Sequence, residues 1–152
     1  MVTEASISIQ GVPELQSILD RIGTGTFSKT LLGEIGAFIN FAIKKRTMAG
    51  VDVDGSTFIP YTPSYALFRQ EKGRSPRVNL FFTGSMMSAM TWSTGINEVR
   101  AHFLNTSDLS GAKNPSKAFF LNQDRNFFAL SESDISSIVK IVENYYSEII
   151  GS

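Results

Sequence analysis

The chain has 152 residues, a length that suits one domain with a hydrophobic core better than two. Hydrophobic residues make up 42% of it and charged residues 18%, so we expect a folded globular protein. The 14 basic and 14 acidic side chains cancel, which argues against a partner bound mainly through bulk charge, such as a nucleic-acid backbone or an anionic membrane. Without cysteine there can be no disulfide, thiolate metal site or cysteine nucleophile.

The sequence also predicts a soluble protein made in the cytoplasm. Its first residues lack the basic and apolar regions of a secretory signal, and no apolar run approaches the roughly 20 residues of a membrane-spanning helix. A net charge near zero does little to keep copies apart, which suits a subunit that works in an assembly.

Two short elements are predicted at the start of the chain. Residues 6–10 alternate between polar and apolar, which is typical of a strand with one buried face. An amphipathic helix is then predicted to begin at Pro13 and to end at Gly23.

The strongest periodic pattern in the chain predicts a long core helix. Its apolar residues are spaced three and four positions apart and form one stripe. They are Leu31, Leu32, Ile35, Phe38, Ile39, Ala42 and Ile43. The basic residues Lys44, Lys45 and Arg46 occupy the last turn, where the helix dipole favours positive charge. We prefer this interpretation to a nucleic-acid contact, because three adjacent cations are few for following a phosphate backbone.

Residues 52–55 are predicted to form a turn, since aspartate favours local side-chain bonds to the backbone and Gly55 allows a positive φ. A calcium loop is the alternative for this segment. We reject it because residues 56–60 provide none of the acidic ligands that such a loop needs after its glycine.

A short helix over residues 64–72 is predicted after a Thr-Pro cap, with Tyr65 and Phe68 on its inner face. The segment 69–79 carries several basic residues together with glycine, serine and proline, which is typical of a long exposed loop. The basic residues are Arg69, Lys72, Arg74 and Arg77. We take them as a candidate interface, in a loop that is mobile in the isolated subunit and ordered by contact with a neighbour.

The second half of the chain is predicted to contain a hairpin and a second long helix. Met86, Met87 and Met90 are expected to pack near a capped helical turn. A hairpin follows over residues 92–103, and a polar loop over 108–116. In the hairpin, Val99, Ala101 and Phe103 are expected to face the core, and Arg100 and His102 to face outward. The final helix begins after Ser131 and carries apolar residues at helical spacing from Ile135 to Ile149.

The sequence offers no candidate catalytic, cofactor or metal site. The one histidine, His102, lies on the predicted outer face of the hairpin without a nearby acidic partner. Residues 23–26 are rich in glycine but lack the Lys-Ser/Thr pair of a phosphate-binding loop, and no nucleophile elbow or pair of metal-spaced histidines occurs. We therefore predict that the protein is not an enzyme.

Three stretches of the chain carry recognisable motifs. They are residues 43–61, with a helix-end arginine before a Gly-x-Asp-x-x-Gly-x-x-Phe pattern; 80–90, with Thr-Gly; and 125–134, with an Arg-x-Phe-Phe segment before the last helix. In this order they resemble the phage virion morphogenesis family, which includes Mu-like virion morphogenesis and tail-completion proteins. Gln123 and Ala129 stand where the family has Pro and Gly. The family-like positions are Arg46, Gly50, Asp52, Gly55, Phe58, Thr83, Gly84, Arg125, Phe127 and Phe128. We expect the Arg125 guanidinium, which stands just before a buried-looking Phe pair, to hold several backbone carbonyls or a carboxylate.

This resemblance implies a structural virion protein without a cofactor. Such a protein is expected to form a homo-oligomeric, six-fold ring at the head–tail junction or at the head-proximal end of the tail. Its other partners would be neck, head-completion or tail proteins, without a membrane or a specific nucleic-acid sequence. It would act in the cytoplasm of the host bacterium and then in the virion.

The residues themselves predict an α+β fold for 1–152, with a small antiparallel sheet packed against the two long amphipathic helices and with long loops. Two other classes of function stay open. One is a nucleic-acid-binding module that uses the basic loop from Arg69 to Arg77, with Phe68, Phe81 and Phe82 nearby. The other is a small effector or inhibitor domain.

Overall fold

The computed structural model describes residues 5–8, 11–23, 25–80 and 84–147. The fold is α+β, as predicted: the described residues form six helices and a small antiparallel sheet. In chain order the elements are β1 (Ala5–Ser8), α1 (Pro13–Ile22), α2 (Lys29–Met48), α3 (Pro63–Glu71), α4 (Ser85–Ser88), β2 (Met90–Gly95), β3 (Glu98–Phe103), α5 (Asn114–Asp124) and α6 (Glu132–Tyr145).

The sheet has three strands in the order β1-β3-β2, and both pairings are antiparallel. β2 and β3 form the predicted hairpin, with Trp92 opposite Ala101 and a turn at Ile96 and Asn97. Asn97 adopts φ 53°, a left-handed conformation that asparagine tolerates better than most residues. The predicted first strand is confirmed over Ala5–Ser8, and residues 9–10 of that prediction lie outside the described part of the chain.

α2 packs on β2, β3 and α6 with the stripe that the sequence predicts. α6 packs mainly on α2 and α1 rather than on the sheet, so the prediction that both long helices cover the sheet is right only for α2. The α2 residues Leu31, Leu32, Ile35, Ile39 and Ile43 are buried, and Phe38 and Ala42 are half-buried. From α6, Ile138 and Val142 are fully buried. The inward face of β3 is as predicted, since Val99, Ala101 and Phe103 are buried. Of the two residues predicted to face outward, Arg100 is exposed, but His102 is half-buried and its Nδ1 atom is buried.

Hydrogen bonds join α2 and α6 at both ends, so the two helices run antiparallel. At the start of α2, the cap residue Ser28 donates its backbone N–H to the Tyr146 hydroxyl and its own hydroxyl to Tyr145. At the other end, Arg46 binds Asp134 in the first turn of α6. α6 begins with a complete capping box between Ser131 and Asp134, which confirms the predicted helix start.

Two predictions about helices were wrong. The loop predicted for 108–116 ends early, because α5 begins at Asn114 with Pro115 in its first turn. Its buried residues are only Asn114 and Ala118, so α5 carries no apolar stripe from which it could be predicted. In α3, Tyr65 and Phe68 are 39% and 41% exposed, and the one buried residue is Arg69.

Two glycines of α2 give a matched test of the packing of β2 on this helix. A Cβ at Gly36 would overlap the Trp92 indole, whereas nothing lies within 4 Å of one at Gly33. We expect Gly33→Ala to raise the free energy of unfolding by up to about 1 kcal/mol through helix propensity. Gly36→Ala should instead lower it by about 1–2 kcal/mol, through overpacking. It should also shift the fluorescence of Trp92, the one tryptophan in the chain. Equal effects of the two substitutions would contradict this packing.

Candidate assembly interface

Arg46 fastens the C-terminal end of α2 to the segment that leads into α6. Its Nη1 donates to Asp134 Oδ2 at 2.8 Å, and its Nη2 donates to the carbonyl oxygens of Phe127 and Ala129 at 3.3 and 2.8 Å. The two charged side chains are only 14% and 10% exposed. The predicted place of Arg46 in the last helical turn is confirmed, but its partners, which lie far along the sequence, were missed.

The loop after α2 is shaped by family-like residues. Gly50 and Gly55 both have positive φ, 80° and 88°, which favours glycine. The Asp52 carboxylate accepts hydrogen bonds from the backbone amides two and four residues further on, at 2.9 and 3.0 Å, so the predicted turn is confirmed. Phe58 then enters the core, where it is 3% exposed.

Arg125 and Tyr61 join the end of this loop to the segment after α5. Arg125 donates Nε–H to the Ile59 carbonyl at 3.0 Å and Nη2–H to the Pro60 carbonyl at 3.3 Å, the kind of contact that we predicted for its guanidinium. Two guanidiniums lie over the Tyr61 ring, with Arg69 at 5.0 Å and Arg125 at 5.1 Å from its centre. Cation–π attraction therefore adds to the backbone hydrogen bonds here.

The Phe127-Phe128 pair anchors the same segment in the core. The two side chains are 0% and 2% exposed, and both contact the Phe103 ring at the end of β3. The Asn122 side chain accepts hydrogen bonds from both of their backbone amides. Gly84, with φ 86°, precedes α4, and Thr83 lies outside the described residues. The described family-like positions in stretches 43–61 and 125–134 thus set the backbone shape of these stretches and hold them together beside the C-terminal end of α2.

The four residues of the predicted basic interface differ in exposure. Lys72, Arg74 and Arg77 are exposed. Arg69, which we had grouped with them, is 1% exposed and donates to the Ser75 carbonyl at 2.7 Å and to Asn79 Oδ1 at 3.0 Å. The assignment of Arg69 to an exposed cluster was therefore wrong: its guanidinium faces inward and ties α3 to the loop that follows.

Because α3 turns its arginine inward, it turns apolar side chains outward. Tyr65, Leu67 and Phe68 are 39%, 55% and 41% exposed, and the preceding Ile59 is 62% exposed. Apolar side chains that are exposed together on one helix often mark a surface that contacts another protein. Which face of α3 is exposed follows from the burial of Arg69 on the other face, and the sequence alone did not show that burial.

A groove of about 320 Å³ lies between α3, α4 and α5. Its walls include the apolar or aromatic residues Tyr61, Tyr65, Leu80, Met86 and Leu121 and the basic residues Arg69, Lys117 and Arg125. None of the described residues that line the groove is acidic. We call it the cationic groove.

Asp108 lies just outside this groove and is held by Lys117, whose ammonium donates to Asp108 Oδ2 at 2.8 Å. This ammonium, followed by the Ser110 hydroxyl, holds the pKa of Asp108 well below its ordinary value. The carboxylate therefore stays ionised in mild acid, and its Oδ1 accepts hydrogen bonds from the Ser110 and Ala112 amides in the turn that carries Leu109. Leu109 itself is 99% exposed.

We expect Arg125→Lys to lower the free energy of unfolding by about 1–2 kcal/mol, because a lysine keeps the charge but cannot reproduce two guanidinium bonds to the Ile59 and Pro60 carbonyls. Chemical unfolding of the purified protein measures the change. Lys113→Arg, at an exposed site, is the control and should change stability by less than about 0.5 kcal/mol. If Arg125→Lys is as stable as the unsubstituted protein, Arg125 contributes only a surface charge.

Within the described part of the chain, no helix is long and apolar enough to cross a membrane, and no three His, Cys, Asp or Glu side chains are grouped to hold a metal ion. The chain matches no family model, no curated protein and no solved structure.

Proposed function

We propose that the protein is a structural subunit of a tailed phage or prophage, which forms a ring at the head–tail junction or the head-proximal end of the tail and is needed to join heads to tails. The observation that carries the proposal is the contact between two of the family-like stretches. Arg46 and Arg125 each bind backbone carbonyls across the stretches 43–61 and 125–134. The family-like positions Arg46 and Arg125 thus hold the two stretches together in this fold.

The exposed side chains of α3 are consistent with a protein that acts through contacts with other subunits. A small domain without catalytic groups contributes to a particle by repeated contacts, and a cyclic ring satisfies identical contacts without leaving an open end. Tyr65, Leu67 and Phe68 offer apolar area for such a contact. The six-fold symmetry of this proposal comes from the resemblance alone.

Deletion of the gene from the phage that carries it tests the proposal. We expect lysates that contain filled heads beside unattached or defective tails in electron micrographs, and infectivity restored by a plasmid copy of the gene. The Arg125→Lys protein, expressed from the same plasmid, shows whether the contact of Arg125 with the stretch 43–61 matters for assembly. Finished particles of normal infectivity after the deletion would refute the assembly role.

A nucleic-acid-binding module is the competing proposal. The exposed side chains of Lys72, Arg74 and Arg77 favour it, and the Lys72 ammonium lies 5.8 Å from the centre of the exposed Phe68 ring. Binding of labelled single- and double-stranded DNA to the purified protein, measured over a range of salt concentrations, distinguishes the two. A steep loss of affinity with salt that is reduced by Lys72→Gln would favour this module over the assembly subunit.

A further inference from the structure

α3 differs from the other described helices in how little it packs on the rest of the fold. It makes at most slight contact with any other described helix or strand, and Arg69 is the one buried residue of its described range, Pro63–Glu71. The Arg69 side chain holds the helix to the Ser75 carbonyl and to Asn79. The apolar side chains of Leu67 and Phe68 stay 55% and 41% exposed. α3 is therefore a helical arm outside the hydrophobic core, and we call it the α3 arm.

A wide groove of about 1060 Å³ lies beside the C-terminal half of α2. Its walls are α2, the loop 51–55 and the segment 126–134. Phe41, on α2, is 60% exposed in this groove, and Phe38, Val53 and Leu130 are half-buried in its walls. A helix with apolar residues on more than one face is usually covered on each of them, but α2 is covered only on the face that packs on the sheet and α6. We call this surface the α2 groove.

The α3 arm and the α2 groove carry opposite charges. The arm and the loop after it, residues 63–77, have three exposed basic residues and one exposed acidic residue. They are Lys72, Arg74, Arg77 and Glu71. The groove instead has the exposed carboxylates of Asp54 and Glu132 beside the exposed ammonium of Lys45. Within the described part of the chain neither carboxylate forms an ion pair, and neither do Lys72 and Arg77. These opposite charges are therefore free to attract another copy.

Family-like residues fix the α3 arm relative to the α2 groove. Arg125 binds the Ile59 and Pro60 carbonyls, which lie just before the arm. The next residue, Asn126, lines the groove, and its carbonyl accepts the Val53 N–H at 3.0 Å. The same two stretches thus hold both surfaces, so the angle between the arm and the groove is set within each copy.

We propose that copies of this chain associate head to tail, with the α3 arm of one copy lying in the α2 groove of the next. In this contact Leu67 and Phe68 of the arm cover Phe41 of the groove, and Lys72 faces the groove carboxylates. Because the contact uses two different surfaces, it repeats from copy to copy and closes into a ring when the rotation allows it. The inference rests on the proposed ring function, for which it names the contact between subunits.

Cysteine cross-linking tests the contact directly, because the chain has no cysteine of its own. Purified Leu67→Cys and Phe41→Cys proteins, both substituted at exposed positions, are mixed at low salt under mild oxidation with diamide. We expect the mixed disulfide dimer to form about 10-fold faster than either homodimer, because docking raises the effective concentration of the two thiols. The double variant Leu67→Cys/Phe41→Cys should give a ladder of covalent oligomers that stops at the size of the ring.

The homodimers and a third cysteine are the controls. Ser17→Cys is exposed on α1, outside both surfaces, and should cross-link to Leu67→Cys no faster than free collision allows. If Phe41→Cys reacts with Leu67→Cys only as fast as Ser17→Cys does, the proposal is overturned. A Leu67→Cys homodimer that forms faster than the mixed dimer would indicate a two-fold contact between arms and would also overturn it.

Neutralising the groove carboxylates tests the choice of a second copy as the occupant. Asp54→Asn and Glu132→Gln are combined on the Phe41→Cys chain. We expect its cross-linking to Leu67→Cys to slow about threefold, which is typical of the loss of exposed ion pairs. Glu143→Gln, at an exposed position of α6 outside the groove, is the matched control and should leave the rate unchanged. An unchanged rate for the doubly neutralised groove would remove the charge match and overturn the proposal.

Light scattering on the unsubstituted protein separates this inference from the proposed function. Oligomers that form without preferred cross-linking of Leu67→Cys to Phe41→Cys would mean that a ring uses other surfaces, and only the inference would fail. Preferred cross-linking, combined with normal phage after deletion of the gene, would leave the contact standing and remove the assembly role.

Discussion

Replacement of Arg46 by Met should lower the free energy of unfolding by about 3–5 kcal/mol, the range for loss of one partner from a buried ion pair. The Asp134 carboxylate, 10% exposed, would lose its cation, and the carbonyls of Phe127 and Ala129 would lose a donor. Methionine keeps much of the length of the arginine stem, so the loss reports the charge and the hydrogen bonds more than the packing. Urea unfolding followed by circular dichroism measures it.

Lys45→Met is the matched control, because this neighbour in the same helical turn is exposed. It should change the free energy of unfolding by less than about 0.5 kcal/mol. If the two substitutions have similar effects, Arg46 is only a charge at a helix end, as its sequence position alone indicates. The double variant Arg46→Met/Asp134→Asn should be less destabilised than the sum of the two single changes, since the two side chains contact each other.

Arg69→Ala should lower the free energy of unfolding by about 2–3 kcal/mol, or release α3 locally at a similar cost, because it leaves the Ser75 carbonyl and the Asn79 side chain without this donor. The Tyr61 ring would also lose one of its two flanking guanidiniums. Chemical unfolding measures the global effect. Hydrogen exchange of the α3 amides measures the local effect.

Lys72→Ala is the control for Arg69→Ala, since it comes from the same predicted basic cluster but is exposed. We expect no measurable loss of stability from it. If Lys72→Ala and Arg69→Ala both leave stability unchanged, the buried position of Arg69 is contradicted and the original grouping of the four basic residues is restored.

Local periodicity was sufficient to predict the elements that bury a continuous apolar stripe. In α2, α6 and the β2-β3 hairpin, the spacing of the apolar residues along the sequence reveals which face is buried. The existence and orientation of these elements therefore followed from the sequence. α5 did not, because it buries only Asn114 and Ala118. The Asn114 amide binds Ser85 and Thr106, and this network does not produce a helical period.

At the candidate interface, too, features set by residues close in the sequence could be predicted, and those set by residues far apart could not. The turn at Asp52 could be predicted from the chemistry of aspartate and its immediate neighbours. The carbonyl contacts of Arg125 could be predicted from its place just before the buried Phe127-Phe128 pair. The partners of Arg46 and the burial of Arg69 could not. Asp134 is 88 residues from Arg46, and nothing in the local pattern distinguishes Arg69 from the exposed cations that follow it.

The bonds that join α2 and α6 have a consequence for synthesis on the ribosome. Arg46 and Asp134 are 88 residues apart, and Ser28 and Tyr146 are 118 residues apart. α2 is therefore made long before α6, which covers part of its apolar stripe, and that part stays open to other contacts until residues 132–145 leave the exit tunnel. Contacts between distant residues slow folding and prolong this exposure. Nascent chains should depend on chaperones most during this interval, and a pause in translation before residue 132 should increase their aggregation.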